Sequence, residues 1–131
     1  LAGLSAGTLE DPRVEVRGTD VARLIADAGA GNPFDAIILD LYQGTHDAND
    51  DPRHPHYGVR ALETTRRALA PGAVLAVWTE SPDAGFQARL KRTGFEWDSV
   101  RPRGGGHVVY LARPVAAPRP PRRRGRRNRT R

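Results

Sequence analysis

Cysteine is absent from the 131 residues. That excludes disulfide scaffolds, thiolate zinc sites, iron–sulfur ligation and cysteine nucleophiles together. Methionine is absent too, even at position 1, so the expectation is an incomplete gene product that lacks its natural start. No apolar run approaches the roughly 20 residues that cross a bilayer, so no membrane-spanning segment is expected. The opening Leu1-Ala2-Gly3-Leu4-Ser5-Ala6-Gly7 has neither the basic start nor the apolar length of a signal peptide, which leaves the cytoplasm as the default compartment.

Apolar residues at 38% and charged residues at 27% are enough to build one core, and the length suits one domain. The net charge of +6 is not a property of the whole chain. Eight of the 21 basic side chains are arginines from Arg119 to Arg131, which leaves 13 basic against 15 acidic residues before them. The division expected is a folded body over 1–113 and an Arg/Pro-rich tail over 114–131 with too little to bury to become ordered. Such a tail can hold phosphates or another polyanion, but no aromatic residue interrupts its arginines to stack on bases, so only non-specific affinity is expected.

The body alternates strand and helix signals. Val14-Glu15-Val16 reads as a short strand, and Asp20 as the N-cap of a helix carrying Val21, Leu24, Ile25 and Ala28 that Gly29 and Gly31 end. Ala36-Ile37-Ile38-Leu39, closed by Asp40, is continuously apolar and predicts a strand covered on both faces. After a polar loop over 42–56, a helix is expected from Tyr57 to Ala70, broken by Pro71-Gly72, and then a second buried strand over Ala73–Trp78. Asp83 opens a further helix that Gly94 closes in the position after its C-cap. Phe95–Arg101 and His107–Ala112 read as a final hairpin of strands. The alternation predicts an α/β, doubly wound sheet whose last two strands are antiparallel.

In open α/β sheets ligands bind beyond the carboxyl ends of the strands, where Asp20 and Asp40 fall. Asp20 could serve as a helix cap, as a ligand to a nucleoside, or as both. Asp40 ends a wholly apolar strand, a place with little structural use for an acid, and is the candidate catalytic group. The loop from Thr45 to His56 holds acids and three histidines without the spacing that converges metal ligands, so no metal is expected. A solvated loop, or an acidic lid that favours a cationic substrate, fits it better. Gly104-Gly105-Gly106 lies in the hairpin with no helix after it and is not a phosphate cradle; His107 reads as a strand residue and Trp78 as core or cleft wall.

Asp11-Pro12-Arg13-Val14-Glu15-Val16 with Asp20, then Phe34-Asp35-Ala36-Ile37-Ile38-Leu39-Asp40, then Arg66 to Val77, together resemble the spermidine synthase (polyamine aminopropyltransferase) family over roughly residues 9 to 113. The resemblance implies a Rossmann-like, class I S-adenosylmethionine-dependent methyltransferase fold with strand order 3-2-1-4-5-7-6. The first two strands, with the glycine-rich turn, lie upstream of anything matched here. The strand ending at Asp40 would then keep an unpaired edge unless another segment or another chain, as in a homodimer, closes it.

By that resemblance the ligand is a nucleoside, S-adenosylmethionine or its decarboxylated form, with a polyamine as acceptor. Asp20 matches the acid that accepts from the adenine amino group, with Thr19 and Leu41 beside the nucleoside. Asp40 matches the acid that deprotonates or positions the attacking amine, and Tyr42, Gln43 and Tyr57 fall in the gate over the acceptor. The family's second acid, in an Asp-Ser-x-Asp-Pro run, is replaced by Asp40-Leu41-Tyr42-Gln43-Gly44. A methyltransferase of another substrate is therefore the alternative within the fold. A non-catalytic module with a nucleic-acid-binding tail is the alternative outside it.

Overall fold

The computed structural model describes residues 7–29, 31–42, 44–48 and 51–116. After a short 3-10 turn at Thr8–Glu10, the regular elements are α1 (Val21–Ala28), β1 (Phe34–Leu39), α2 (Val59–Ala68), β2 (Leu69–Thr79), α3 (Ala84–Arg92), β3 (Phe95–Val100) and β4 (Val108–Pro114), with a second 3-10 turn at Thr45–Ala48. The four strands form one mixed sheet in the order β1-β2-β4-β3. β1 and β2 are parallel, and β4 runs antiparallel to both β2 and β3.

Local chemistry accounts for most boundaries. The Asp20 carboxylate accepts from the Ala22 amide at 2.7 Å and starts α1. Asp83 does the same for α3 through the Phe86 amide at 2.9 Å. Gly94, at φ 84°, carries the chain out of α3 in the left-handed region, as expected of a residue just past a C-cap. The final antiparallel pair is formed as expected, with Trp97 opposite Ala112 and Ser99 opposite Tyr110.

Three expectations are corrected. Val14-Glu15-Val16 is exposed, pairs with no strand among the described residues and is not a strand, so the described sheet has four strands rather than the five read from the sequence. α2 ends at Ala68, and Leu69 enters β2 directly, so Pro71-Gly72 lies inside a strand and not at a helix end. The irregular register there, Phe34 opposite Leu69 but Ala36 opposite Val74, absorbs a proline that cannot donate to the ladder and a glycine at φ 79°.

The third correction concerns β1. Ile37 and Leu39 are buried, but Ile38 between them is 74% exposed, so the apolar run is covered on one face only. Their partners continue that face: Leu75 and Val77 on β2, Tyr110 and Ala112 on β4. Ile25 of α1, Leu62 and Ala68 of α2, and Phe86 and Leu90 of α3 close over it in one core. A run of edge-to-face rings crosses it, Tyr57 on Phe86, Phe86 on Tyr110, Tyr110 on Trp97. Among the described residues, all three helices lie on this face, so the sheet is not doubly wound there.

Candidate functional site

The parallel pairing of Leu39 with Val77 brings the carboxyl ends of β1 and β2 side by side. The antiparallel pairing of Thr79 with Val108 sets the start of β4 next to them. Asp40, Leu41 and Tyr42 therefore meet Trp78, Glu80 and His107 around a cleft of about 350 Å³. Asp40 and Tyr42 are exposed, while Leu41 is half-buried against the core. The Trp78 indole N–H donates to His107 Nδ1 at 3.2 Å, which leaves the proton of the neutral imidazole on Nε2. His107 thus belongs to the cleft and precedes β4, where the sequence reads it as a strand residue.

On the other side of Leu39 lies a second cleft of about 390 Å³ between α1, α2 and the segment before α2. Its floor is apolar, with Ala22, Ile25 and Leu39, and its rim carries Arg53, His54 and Arg60. His54 Nδ1 accepts the Tyr57 amide at 3.2 Å, and burial, aided by the neighbouring His56, holds its pKa below the ordinary imidazole value. The end of β1 is thus the partition between the two clefts, Leu39 facing one and Asp40 the other.

Asp20 lines neither cleft; its carboxylate caps α1 through the amide of Ala22, whose residue lies on the floor of the second. Thr19 is exposed beside it. Tyr57 is fully buried and reaches neither cleft, and its hydroxyl has no hydrogen-bond partner among the described residues. Burial first, then the negative charges of Asp40 and Asp47, push its pKa up to about 12. Gln43 lies outside the described residues, as do Asn49, Asp50 and residues 117–131 of the tail.

The segment before α2 is solvent-exposed at His46, Asp47, Pro55 and over 51–53, as expected of a polar loop, but it is anchored at both ends. Thr45, Ala48, Tyr57 and Gly58 are buried. Its anchor is Arg89 of α3, itself buried, which donates Nε–H to the Tyr57 carbonyl at 3.0 Å and an Nη2 proton to the Thr45 carbonyl at 3.2 Å. The sequence offered no signal for this beyond a basic residue at a core-facing position of α3. A glycine at position 58 is required by the same packing, since a Cβ there would sit 2.7 Å from the Asp51 carbonyl and 2.8 Å from the His54 amide nitrogen.

Among the described residues no three His, Asp or Glu side chains stand close enough to hold a metal ion, and no helix is long and apolar enough to cross a membrane. No known family model matches the chain, and no curated protein does either.

Proposed function

We propose that this chain carries the second half of a spermidine-synthase-like, class I methyltransferase-type domain that takes an S-adenosylmethionine-type nucleoside and transfers a group from it to an amine. The observation that carries the reading is the strand order. β1-β2-β4-β3, with β4 alone reversed, corresponds to the last four positions of the order 3-2-1-4-5-7-6, and an acid stands at the end of the strand in position four. The edge of β1 that has no partner strand among the described residues falls where the resemblance puts the glycine-rich strand. The reading requires a strand of that kind to join it, from this polypeptide or from another.

Two clefts divided by the end of β1 suit two substrates. The apolar floor at Ala22 and Leu39, with Asp20 at the start of α1, suits a nucleoside base. The cleft of Asp40 suits the acceptor. Glu80, just after β2, supplies there the second carboxylate that the run after Asp40 lacks, and Trp78 and Tyr42 present ring surface to a cation. Asp40 would take the proton from the acceptor ammonium. The freed lone pair then attacks the carbon beside the sulfonium, the carbon–sulfur bond breaks, and a neutral thioether leaves. The missing Asp-Ser-x-Asp-Pro run favours a methyl group as the transferred unit as readily as an aminopropyl group, so methyl transfer to an unassigned amine is the second reading. Residues 119–131 are assigned to non-specific, salt-sensitive contact with polyanions.

Calorimetric titration with S-adenosylmethionine, its decarboxylated form and methylthioadenosine tests the reading. Dissociation constants of about 0.1–1 mM, roughly −4 to −5.5 kcal/mol, are expected for at least one of them. Binding should survive Asp40→Asn and be lost in Asp20→Ser, in which serine keeps the helix cap. No heat with any of the three, from protein that still melts cooperatively, would overturn it.

A further inference from the structure

We propose that Ser81, His46 and Asp83 form a serine-nucleophile constellation that hydrolyses carboxylic esters, independent of the nucleoside reading above. The three meet at the carboxyl end of the sheet. Ser81 lies between the end of β2 and α3, Asp83 is the N-cap of α3, and His46 comes from the 3-10 turn after β1. His46 Nε2 is 3.0 Å from Ser81 Oγ, and its Nδ1 is 3.7 Å from Asp83 Oδ2. Nucleophile, base and orienting carboxylate thus stand in the sequence of contacts that activates a serine.

The burial pattern fits these roles. The Asp83 side chain is 8% exposed, while that of His46 is 52% exposed and Ser81 is open to solvent. Asp83 Oδ1 is used by the Phe86 amide; Oδ2 is buried, accepts no hydrogen bond among the described residues, and faces both His46 Nδ1 at 3.7 Å and Arg89 Nη2 at 3.9 Å. The neutral His46 tautomer that accepts from Ser81 at Nε2 carries its proton on Nδ1, towards that oxygen. The 3.7 Å separation is longer than a hydrogen bond, and formation of the imidazolium would draw the pair together.

Asp83 itself is held rigidly. Its amide donates to the Tyr110 hydroxyl at 2.9 Å, and Arg89 Nη2 lies 3.9 Å from Oδ2. Asp83 accepts from the Phe86 amide in the first turn of α3, and the Ala84 and Gly85 amides of that turn would be the donors to the oxyanion. No glycines flank Ser81 in Thr79-Glu80-Ser81-Pro82-Asp83, so no nucleophile-elbow motif marks it in the sequence.

In the reaction Ser81 Oγ bonds to the ester carbonyl carbon as its proton passes to His46 Nε2. The tetrahedral adduct collapses, the carbon–alkoxy bond breaks, and the alcohol leaves with the proton from His46. Water then attacks the acyl-serine, gives its proton to His46, and releases the carboxylic acid with Ser81 restored. Asp40 and Glu80 on the adjoining cleft select neutral or cationic esters over anionic ones.

The test is labelling of the full chain with a fluorophosphonate, mapped by peptide mass, alongside hydrolysis of p-nitrophenyl acetate, acetylthiocholine and an anionic succinate monoester. Label on Ser81 is expected, with at least a hundredfold loss of labelling and hydrolysis in Ser81→Ala and in His46→Gln, and at least a tenfold loss in Asp83→Asn. The succinate ester should be the slowest of the three. Ser81 and His46 are exposed, so their variants should melt as the parent does. Label elsewhere, no label, or rates in His46→Gln within threefold of the parent would overturn the proposal.

Discussion

Arg89 on α3 donates its Nε–H to the main-chain carbonyl of Tyr57 across 3.0 Å, 32 positions earlier in the chain. A second bond to the Thr45 carbonyl lets one buried guanidinium hold both ends of the segment between β1 and α2. That segment borders both clefts, so its order is set from a helix that follows it in the chain after α2 and β2.

Arg89→Leu should therefore cost more than a surface arginine. Two buried carbonyls lose their donor, and Asp83 loses a neighbouring charge. A loss of about 2–4 kcal/mol in urea unfolding is expected, with faster amide exchange over residues 51–58.

Tyr57→Phe removes a buried hydroxyl that has no hydrogen-bond partner among the described residues, so stability at pH 7 should be unchanged or higher by up to about 1–2 kcal/mol. The pH dependence gives a second readout. The fold raises the Tyr57 pKa from 10.0 to about 12, so it favours the protonated phenol. The corresponding stability is complete below pH 10 and is lost as pH rises towards 12. Urea midpoints measured from pH 9 to 12 should fall more steeply for the parent than for Tyr57→Phe.

At Gly58 the backbone angle is ordinary, φ −70°, and the constraint is space. Gly58→Ala forces a methyl group against the Asp51 and His54 main chain, and a loss of about 1–3 kcal/mol is expected. An unchanged melting temperature would show that this packing relaxes freely.

Neighbours on β1 should respond in opposite ways. Ile37→Ala opens a cavity in the core and should cost about 2–4 kcal/mol. Ile38→Ser lies on the uncovered face and should stay within about 0.5 kcal/mol of the parent. Equal losses in chemical denaturation would mean that both faces of β1 are covered in solution.

Asp20 separates cap from ligand. Asp20→Ala should lower stability by about 1 kcal/mol whatever the chain binds, and Asp20→Ser should restore it. Thermal melts of the two variants make the comparison.

The sequence by itself determined what depends on near neighbours. Asp20 and Asp83 cap helices because a short carboxylate reaches an amide two or three residues on, and Gly94 ends α3 because only glycine enters the left-handed region freely. The parallel β1–β2 pair, the closing hairpin and the exposed acid after β1 follow from runs of apolar residues between such signals. Tertiary structure decided the rest. An apolar run reads alike whether helices cover one face or two, so the exposure of Ile38 was invisible until α1, α2 and α3 closed over the other side. Val14-Glu15-Val16 has a strand's alternation, but a strand exists only where a partner pairs with it, and none does among the described residues. His46 and Ser81 stand 35 positions apart, and Arg89 and Thr45 stand 44 apart. Contacts of that span leave no local pattern, because the pairing of β1 with β2 alone brings those segments together.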